Sequence, residues 1–416
     1  MTSAPTVLVL DGNTTQALAC VRSLGRAGYA VYIASDRRAP LASWSRYCRG
    51  KFRLRGETVA EFAAMREWAR SRGVRVVLPL TERSCLLCNA DAAAWRGRDM
   101  ILGCGPDTML LEAFDKARTL QRAMARGVPV PPTRLPTSLA GFHTAARELG
   151  FPCVIKARFS HARQGDEFLP DPGVAYVNDV AALTPAVLAR RQGDAWPLIQ
   201  RFVTGRGKGV FALCDHGRPV TWFAHERLRD VRPSGSGSSL RRSIPLDARL
   251  RESAGRLLAD LEWHGPAMLE FVDDGVSPPR LMEMNGRFWG SLQLAIEAGA
   301  DFPALWVRVL TGEHLPAPVP YDSGVVLRWL WGDVKRLLHV LRGPPPGYPG
   351  SYPAIWKGVR ELFGRQPPGT RLETWDRTDP WPAVAEWVQG IGELVGHARG
   401  PRPRRPRAAR PVAAAR

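Results

Sequence analysis

No stretch of this 416-residue chain approaches the ~18 uninterrupted apolar residues that a membrane helix needs, so no transmembrane segment is expected. Lysine is scarce: only six of the 58 basic residues are lysine, which makes the positions that kept it informative. The seven cysteines are odd in number and scattered. The single C-x-x-C, Cys85 and Cys88, encloses Leu86 and Leu87 and reads as a buried helix face. Without a second pair it argues against zinc or redox chemistry and for a reducing, cytoplasmic setting. The N-terminus runs from Met-Thr-Ser-Ala-Pro into an apolar strand, without the charged region and cleavage site of a signal peptide. Asp11-Gly12-Asn13 stands where a dinucleotide fold would carry G-x-G-x-x-G, so that reading is weak. Residues 399–416 contain no acid but seven arginines and four prolines, a composition that builds no core and reads as a disordered tail. Its seven arginines take the net charge from +19 to +12. The tail can bind polyanions non-specifically. The rest shows no basic stripe, so no specific nucleic acid is expected as a partner.

What is present alternates. Residues 6–10 read as a strand, Thr15 to Arg26 as a helix and Tyr29 to Ala34 as a second strand. A further strand, Val74 to Leu80, leads through Thr81-Glu82 into a helix, and this βαβ order predicts a parallel sheet. Lys116 begins a helical stretch closed by Gly127 and the prolines at 129, 131 and 132. Lys156 ends the apolar run Phe151–Ile155, a buried strand. A lysine at a strand end is a compact charge suited to nucleotide phosphates.

Glu270 and Glu283 each end a short apolar run, so each is expected on a strand facing a cleft. Asn285 falls on the face of Glu283 by the period of two, and Arg287 follows two residues later. Two carboxylates and an amide oxygen make a hard cage suited to Mg²⁺ with phosphate oxygens. The arginine can neutralise charge developing on a transferring phosphoryl group. The plainer alternative is edge-strand carboxylates paired with arginines. Around the Gly/Ser loop, Arg227, Arg229 and Arg241 could clamp a substrate carboxylate, with Ser234, Gly235 and Ser236 in a mobile lid; the alternative is a flexible surface loop. Trp329, Trp331, Leu337 and Leu338 read as packing a C-terminal extension onto the body rather than as a helix lying on a membrane.

The order Lys116 in "FDK", Lys156 in "VIKA", "PLIQRFVTGRGKGVFAL", Glu270 and "MEMNGRFWGS" resembles the ATP-grasp superfamily over roughly residues 5–315. It is most similar to the uncharacterised group described as ATP-grasp carboxylate–amine ligases. The resemblance implies an α/β ATP-grasp fold with an N-terminal Rossmann-like parallel-sheet domain and a C-terminal helical extension. The boundaries expected are 1–114 for the N-terminal domain and 115–315 for the ATP-grasp domain (lobes 115–195 and 196–315). The extension would then run over 316–398, ahead of the tail. The resemblance further implies ATP held by Lys116 and Lys156, adenine by the Gln200, Arg201, Phe202 and Val203 hinge, and ribose near Lys208. Glu270, Glu283 and Asn285 would ligate Mg²⁺, with Mn²⁺ as the alternative, and Arg287 would contact phosphate. The activity implied is an ADP-forming ligation of a small carboxylate to an amine or similar nucleophile through an acyl phosphate, with a homodimer allowed. The alternatives are an ATP-binding protein without ligation, and a basic nucleic-acid or membrane-surface protein.

Overall fold

The computed structural model describes residues 4–95, 100–164, 167–169, 171–313, 315 and 318–398; the Arg/Pro tail at 399–416 lies outside the described residues. Strands Thr6–Val9 (β1), Ala30–Ser35 (β2), Cys48–Arg53 (β3), Val74–Leu78 (β4) and Ile101–Leu102 (β5) form a parallel sheet in the order β3-β2-β1-β4-β5. The helix Thr15–Arg26 starts where the Thr14 hydroxyl accepts the Ala17 N–H, and it buries Ala17, Leu18, Val21 and Leu24. At the carboxyl end of β1, Asp11 is occupied structurally. Its Oδ2 accepts from the Leu80 N–H at 3.0 Å and the Ser84 hydroxyl at 2.6 Å, and its Oδ1 from the Thr81 hydroxyl at 3.1 Å. The carboxylate thus fastens the start of the helix Glu82–Asn89, on which Cys85 and Cys88 are buried and free.

A smaller antiparallel sheet follows, built from Thr133–Arg134 (β6), Cys153–Lys156 (β7), Val174–Val177 (β10) and Leu198–Arg201 (β11) in the order β10-β7-β11-β6; Arg163–Gln164 (β8) and Glu167–Phe168 (β9) pair separately. The helix Leu139–Leu149 covers its outer face, packing Phe142, Ala146 and Leu149 against Ile155, Val177 and Ile199. The third sheet is the largest: Arg206–Asp215 (β12), Arg218–Arg229 (β13), Leu240–Ser243 (β14), Gly265–Asp273 (β15), Arg280–Asn285 (β16), Val326–Arg328 (β17) and Arg371–Leu372 (β18). Its order is β16-β15-β12-β13-β14-β17-β18, so two strands from beyond residue 316 extend it. One core joins this sheet to the first, with Val7, Val9 and Leu24 in the same cluster as Phe211, Phe288 and Trp289.

The extension closes back over both. Its helices are Leu330–Arg342, Ile355–Phe363 and Trp381–Ala398. Trp331 is buried and meets Trp387 edge-on at 5.3 Å, while the Trp329 indole N–H donates to Glu386 at 2.6 Å. These tryptophans therefore pack inward. Arg22, on the first helix, donates to Asp379 of the extension at 2.9 Å with both side chains buried. Among the described residues no helix is long and apolar enough to cross a membrane.

Candidate active site

The small sheet sets Leu198 opposite Lys156 and Gln200 opposite Val154; the large sheet sets Glu270 opposite Glu283. A cavity of about 710 Å³ lies between the two sheets. It is lined by Lys116, Lys156, Gln200, Arg201, Phe202, Val203, Glu270, Glu283, Asn285 and Arg287, and also by Arg227, Ser234, Gly235 and Ser236. Residues spread over 172 positions of sequence, as read from Lys116 to Arg287, are thus brought to one cleft.

The cationic wall comes from two elements. Asp115 caps the helix Lys116–Ala125 by accepting the Ala117 N–H at 3.0 Å, which fixes Lys116 at the first helical position. The same carboxylate holds Arg158 at 2.7 Å, and the Lys116 N–H donates to the Arg158 carbonyl, tying the helix start to the loop after β7. The Lys116 ammonium donates to the Ser160 hydroxyl at 2.8 Å. Burial lowers the Lys156 pKa to about 8, partly opposed by Glu283 and Glu270, so this lysine titrates close to neutrality.

The acidic wall is the β15–β16 pair. Burial raises the Glu270 pKa despite its ion pair with Arg227, and the facing Glu283 pushes it further. Burial would also raise Glu283, but Lys116, Lys156 and Arg227 outweigh it and hold that carboxyl below its ordinary range. Asn285 donates to Glu283 at 3.4 Å and accepts from Arg287 at 3.1 Å, so the period-two face predicted from sequence is built as a connected row. Two half-buried carboxylates opposing one another with a nearby amide oxygen form a donor set that fits Mg²⁺, since a bound divalent cation relieves their mutual repulsion.

Three expected site residues are elsewhere. Lys208 follows Gly207 on β12; Gly207 faces the cavity, so Lys208 points to the opposite face, where it pairs with Asp273 at 2.6 Å. Arg229 is engaged by Asp333 at 2.7 Å and Gln366 at 3.0 Å. Arg241 is buried, paired with Glu373 and donating to the Ser238 carbonyl at 2.6 Å. Both arginines anchor the extension instead of lining the cleft.

Sequence reasoning passed over two further residues: Glu82, which stands behind Arg287, and Tyr348, which lines the cavity. Glu82, at the start of the helix Glu82–Asn89, is buried and lies 3.8 Å from Arg287. Burial raises its pKa against the pull of Arg287 and Lys116. Its position after the Thr81 cap looked like an ordinary acidic first turn. Tyr348 of the extension packs edge-on against Tyr176 at 5.0 Å and Phe202 at 6.0 Å, so the extension walls the hinge side of the cleft. Nothing in the Pro/Gly-rich segment around Tyr348 marked it for this.

The solved structures decide the fold. A biotin carboxylase domain of 2-oxoglutarate carboxylase from Hydrogenobacter thermophilus, a dimer in complex with MgADP, ADP and bicarbonate, superposes with a TM-score of 0.60 at 14% identity, covering 77% of this chain and 73% of that one. N5-carboxyaminoimidazole synthetase from Staphylococcus aureus, complexed with ADP, gives 0.60 at 14% identity over 78% and 82%. The chain has the ATP-grasp fold. The family described as ATP-grasp in the biosynthetic pathway with Ter operon matches residues 198–332, the part of the chain that runs from β11 through the metal-suited strands into the extension. A D-alanine–D-alanine ligase from Stutzerimonas stutzeri (strain A1501) is 28% identical over 214 residues. That match spans 48% of this chain and 64% of the ligase.

Proposed function

We propose that the chain is an ATP-dependent ligase that joins a small carboxylate to an amine or similar nucleophile and releases ADP and phosphate. The observation that carries this reading is the single cleft that sets Lys116 and Lys156 across from Glu270, Glu283, Asn285 and Arg287. The two lysines hold the nucleotide phosphates, and the backbone of Gln200, Arg201, Phe202 and Val203 receives the adenine. Glu270, Glu283 and Asn285 hold Mg²⁺, or Mn²⁺ in its place. Bound there, the ion supplies positive charge to the phosphate oxygens. A carboxylate oxygen of the substrate attacks the γ-phosphorus and ADP leaves, giving an acyl phosphate. The amine nitrogen then attacks the acyl carbon, phosphate leaves and the amide nitrogen loses its proton. Arg287 stabilises charge on the transferred phosphoryl group, and Arg227 with the 234–236 loop orients the substrate carboxylate. Exclusion of water by that loop and Tyr348 protects the acyl phosphate from hydrolysis.

The D-alanine–D-alanine ligase likeness and the ADP and magnesium named for the fold's solved relatives support this reading. The test is a screen of ADP release over amino acids, other small carboxylates and amines, with mass spectrometry of the product. Saturable ATP binding without carboxylate-dependent ADP release from any of them would leave a nucleotide-binding protein that does not ligate. We further read the chain as cytoplasmic and, by analogy with the dimer named above, as a homodimer. Its arginine tail is read as a non-specific polyanion contact: truncation after Gly400 removes six of seven tail arginines, so DNA affinity should fall and lose part of its salt dependence.

A further inference from the structure

Away from the cleft, at the far end of the large sheet, two imidazoles and a carboxylate converge. Asp215 ends β12, His216 and Gly217 turn the chain into β13, and His264 stands just before β15. The β12–β15 ladder sets Cys214 opposite Gly265, which puts Asp215 beside His264 across the strand pair. The Asp215 Oδ1 lies 3.2 Å from His264 Nδ1 and 3.9 Å from His216 Nε2. One ligand atom from each of the three side chains lies within 4.8 Å of the other two.

The backbone is shaped to bring them together. Among the described residues, three non-glycine residues adopt positive φ, and two of them belong to this corner: His216 at 45° and Glu262 at 45°. Such conformations persist only where the surroundings enforce them. Here the Gly217 N–H donates to the Trp263 carbonyl at 2.7 Å, clasping the turn to the segment that carries His264. The His264 ring is further set by the buried Trp306 indole at 5.0 Å. The two imidazoles lie nearly parallel, 18° apart in plane with centroids 4.3 Å apart.

Neutral imidazole lone pairs are what zinc, nickel and copper ions take, and a carboxylate oxygen completes one face of a tetrahedron with a position left for water. His216 and Asp215 are exposed, so an ion can enter from solvent.

We propose that Asp215, His216 and His264 form a surface binding site for a zinc-class divalent cation, separate from the Mg²⁺-suited carboxylates. His264 is six residues from Glu270 along β15, about 20 Å at the rise of a strand. The ion therefore acts as a clasp between the β12–β13 turn and the start of β15, not on the reaction.

The test uses the full chain, stripped with a chelator, and titrates Zn²⁺ calorimetrically against wild type, His216→Ala and Asp215→Asn. Because the seven cysteines can take zinc elsewhere, the result read is the difference between proteins. Wild type should bind one equivalent more than His216→Ala, in the micromolar range or tighter, and its melting temperature should rise with Zn²⁺ where that of His216→Ala does not. Asp215→Asn should keep the extra equivalent at weaker affinity. Co²⁺ substituted into wild type should show visible bands without thiolate charge transfer, lost in His216→Ala. Equal stoichiometry and affinity in wild type and His216→Ala, or saturation only at millimolar zinc, would overturn the proposal.

Discussion

Glu270 and Glu283 are chemically identical side chains on facing positions of one strand pair, yet their surroundings push their pKa values apart. Glu270 has Arg227 as its partner and is nonetheless raised by burial, while the two lysines across the cleft hold Glu283 down. Glu283 is therefore the carboxyl whose ionised form its surroundings favour more strongly. Glu283→Gln keeps the shape and removes that charge. Mg²⁺-dependent ATP affinity should fall by about 1.5–3 kcal/mol with an unchanged circular dichroism spectrum. Calorimetry giving wild-type affinity would remove Glu283 from the metal set. Lys156 makes a pH-dependent prediction. With its pKa lowered to about 8, it is charged below that pH and neutral above it. An anionic nucleotide prefers the charged form, so ATP affinity should decline as pH rises through about 8. Lys156→Met should lose on the order of 1–3 kcal/mol at pH 7 and flatten that decline. An unaltered pH slope in the variant would assign the titration to another group. The place of these residues in the cleft was legible because lysine is rare here and because strand periodicity puts Glu283, Asn285 and the cleft on one face. Lys208 was not: its neighbour Gly207 takes the inward position, and nothing in G-R-G-K-G reveals which parity faces the cavity.

At the scale of elements, the glycines of that same segment do work that periodicity cannot express. Gly205 has φ +154°, and a Cβ there would meet the Asp273 carbonyl oxygen at 2.6 Å. The close approach brings the start of β12 against the end of β15 beneath the cleft that Gly205 lines. Gly205→Ala should destabilise the protein by about 1–3 kcal/mol and weaken ATP binding along with it. Denaturant titration paired with calorimetry checks both, and a stable variant with normal ATP affinity would show that the strand can yield without disturbing the cleft. The helix Thr15–Arg26 was readable to its ends, since a Thr cap and an apolar stripe are local signals. Arg229 and Arg241 were misread because their partners, Asp333 and Glu373, lie about a hundred residues away or more. An arginine beside a Gly/Ser loop looks the same whether it meets a substrate or a distant buried acid.

On the scale of the whole molecule, the chain's two ends are held together by one buried charge cluster. The Asp379 carboxylate accepts from the Arg22 guanidinium at 2.9 Å, the Ser45 hydroxyl at 2.7 Å and the Arg46 N–H at 2.8 Å. Arg22 also donates to the Asp379 and Thr374 carbonyls at 2.7 and 3.0 Å. Both side chains are 1% exposed, so each depends on the other for the solvation it lost on burial. The extension so anchored carries Arg328, β18 and Tyr348, and with Tyr348 the hinge side of the cleft. Docking of the extension and integrity of the cleft are thereby one problem. Asp379→Ala strands the Arg22 guanidinium in the interior and should cost about 3–5 kcal/mol. Arg22→Met with Asp379→Leu should recover part of that loss, because no unpaired charge remains. In the single variant, limited proteolysis should cut within the extension first, and ATP affinity should fall although no cleft residue has changed. A stability loss under about 1 kcal/mol, the range of an exposed ion pair, would mean that the extension is held by its tryptophans and strands rather than by this clamp.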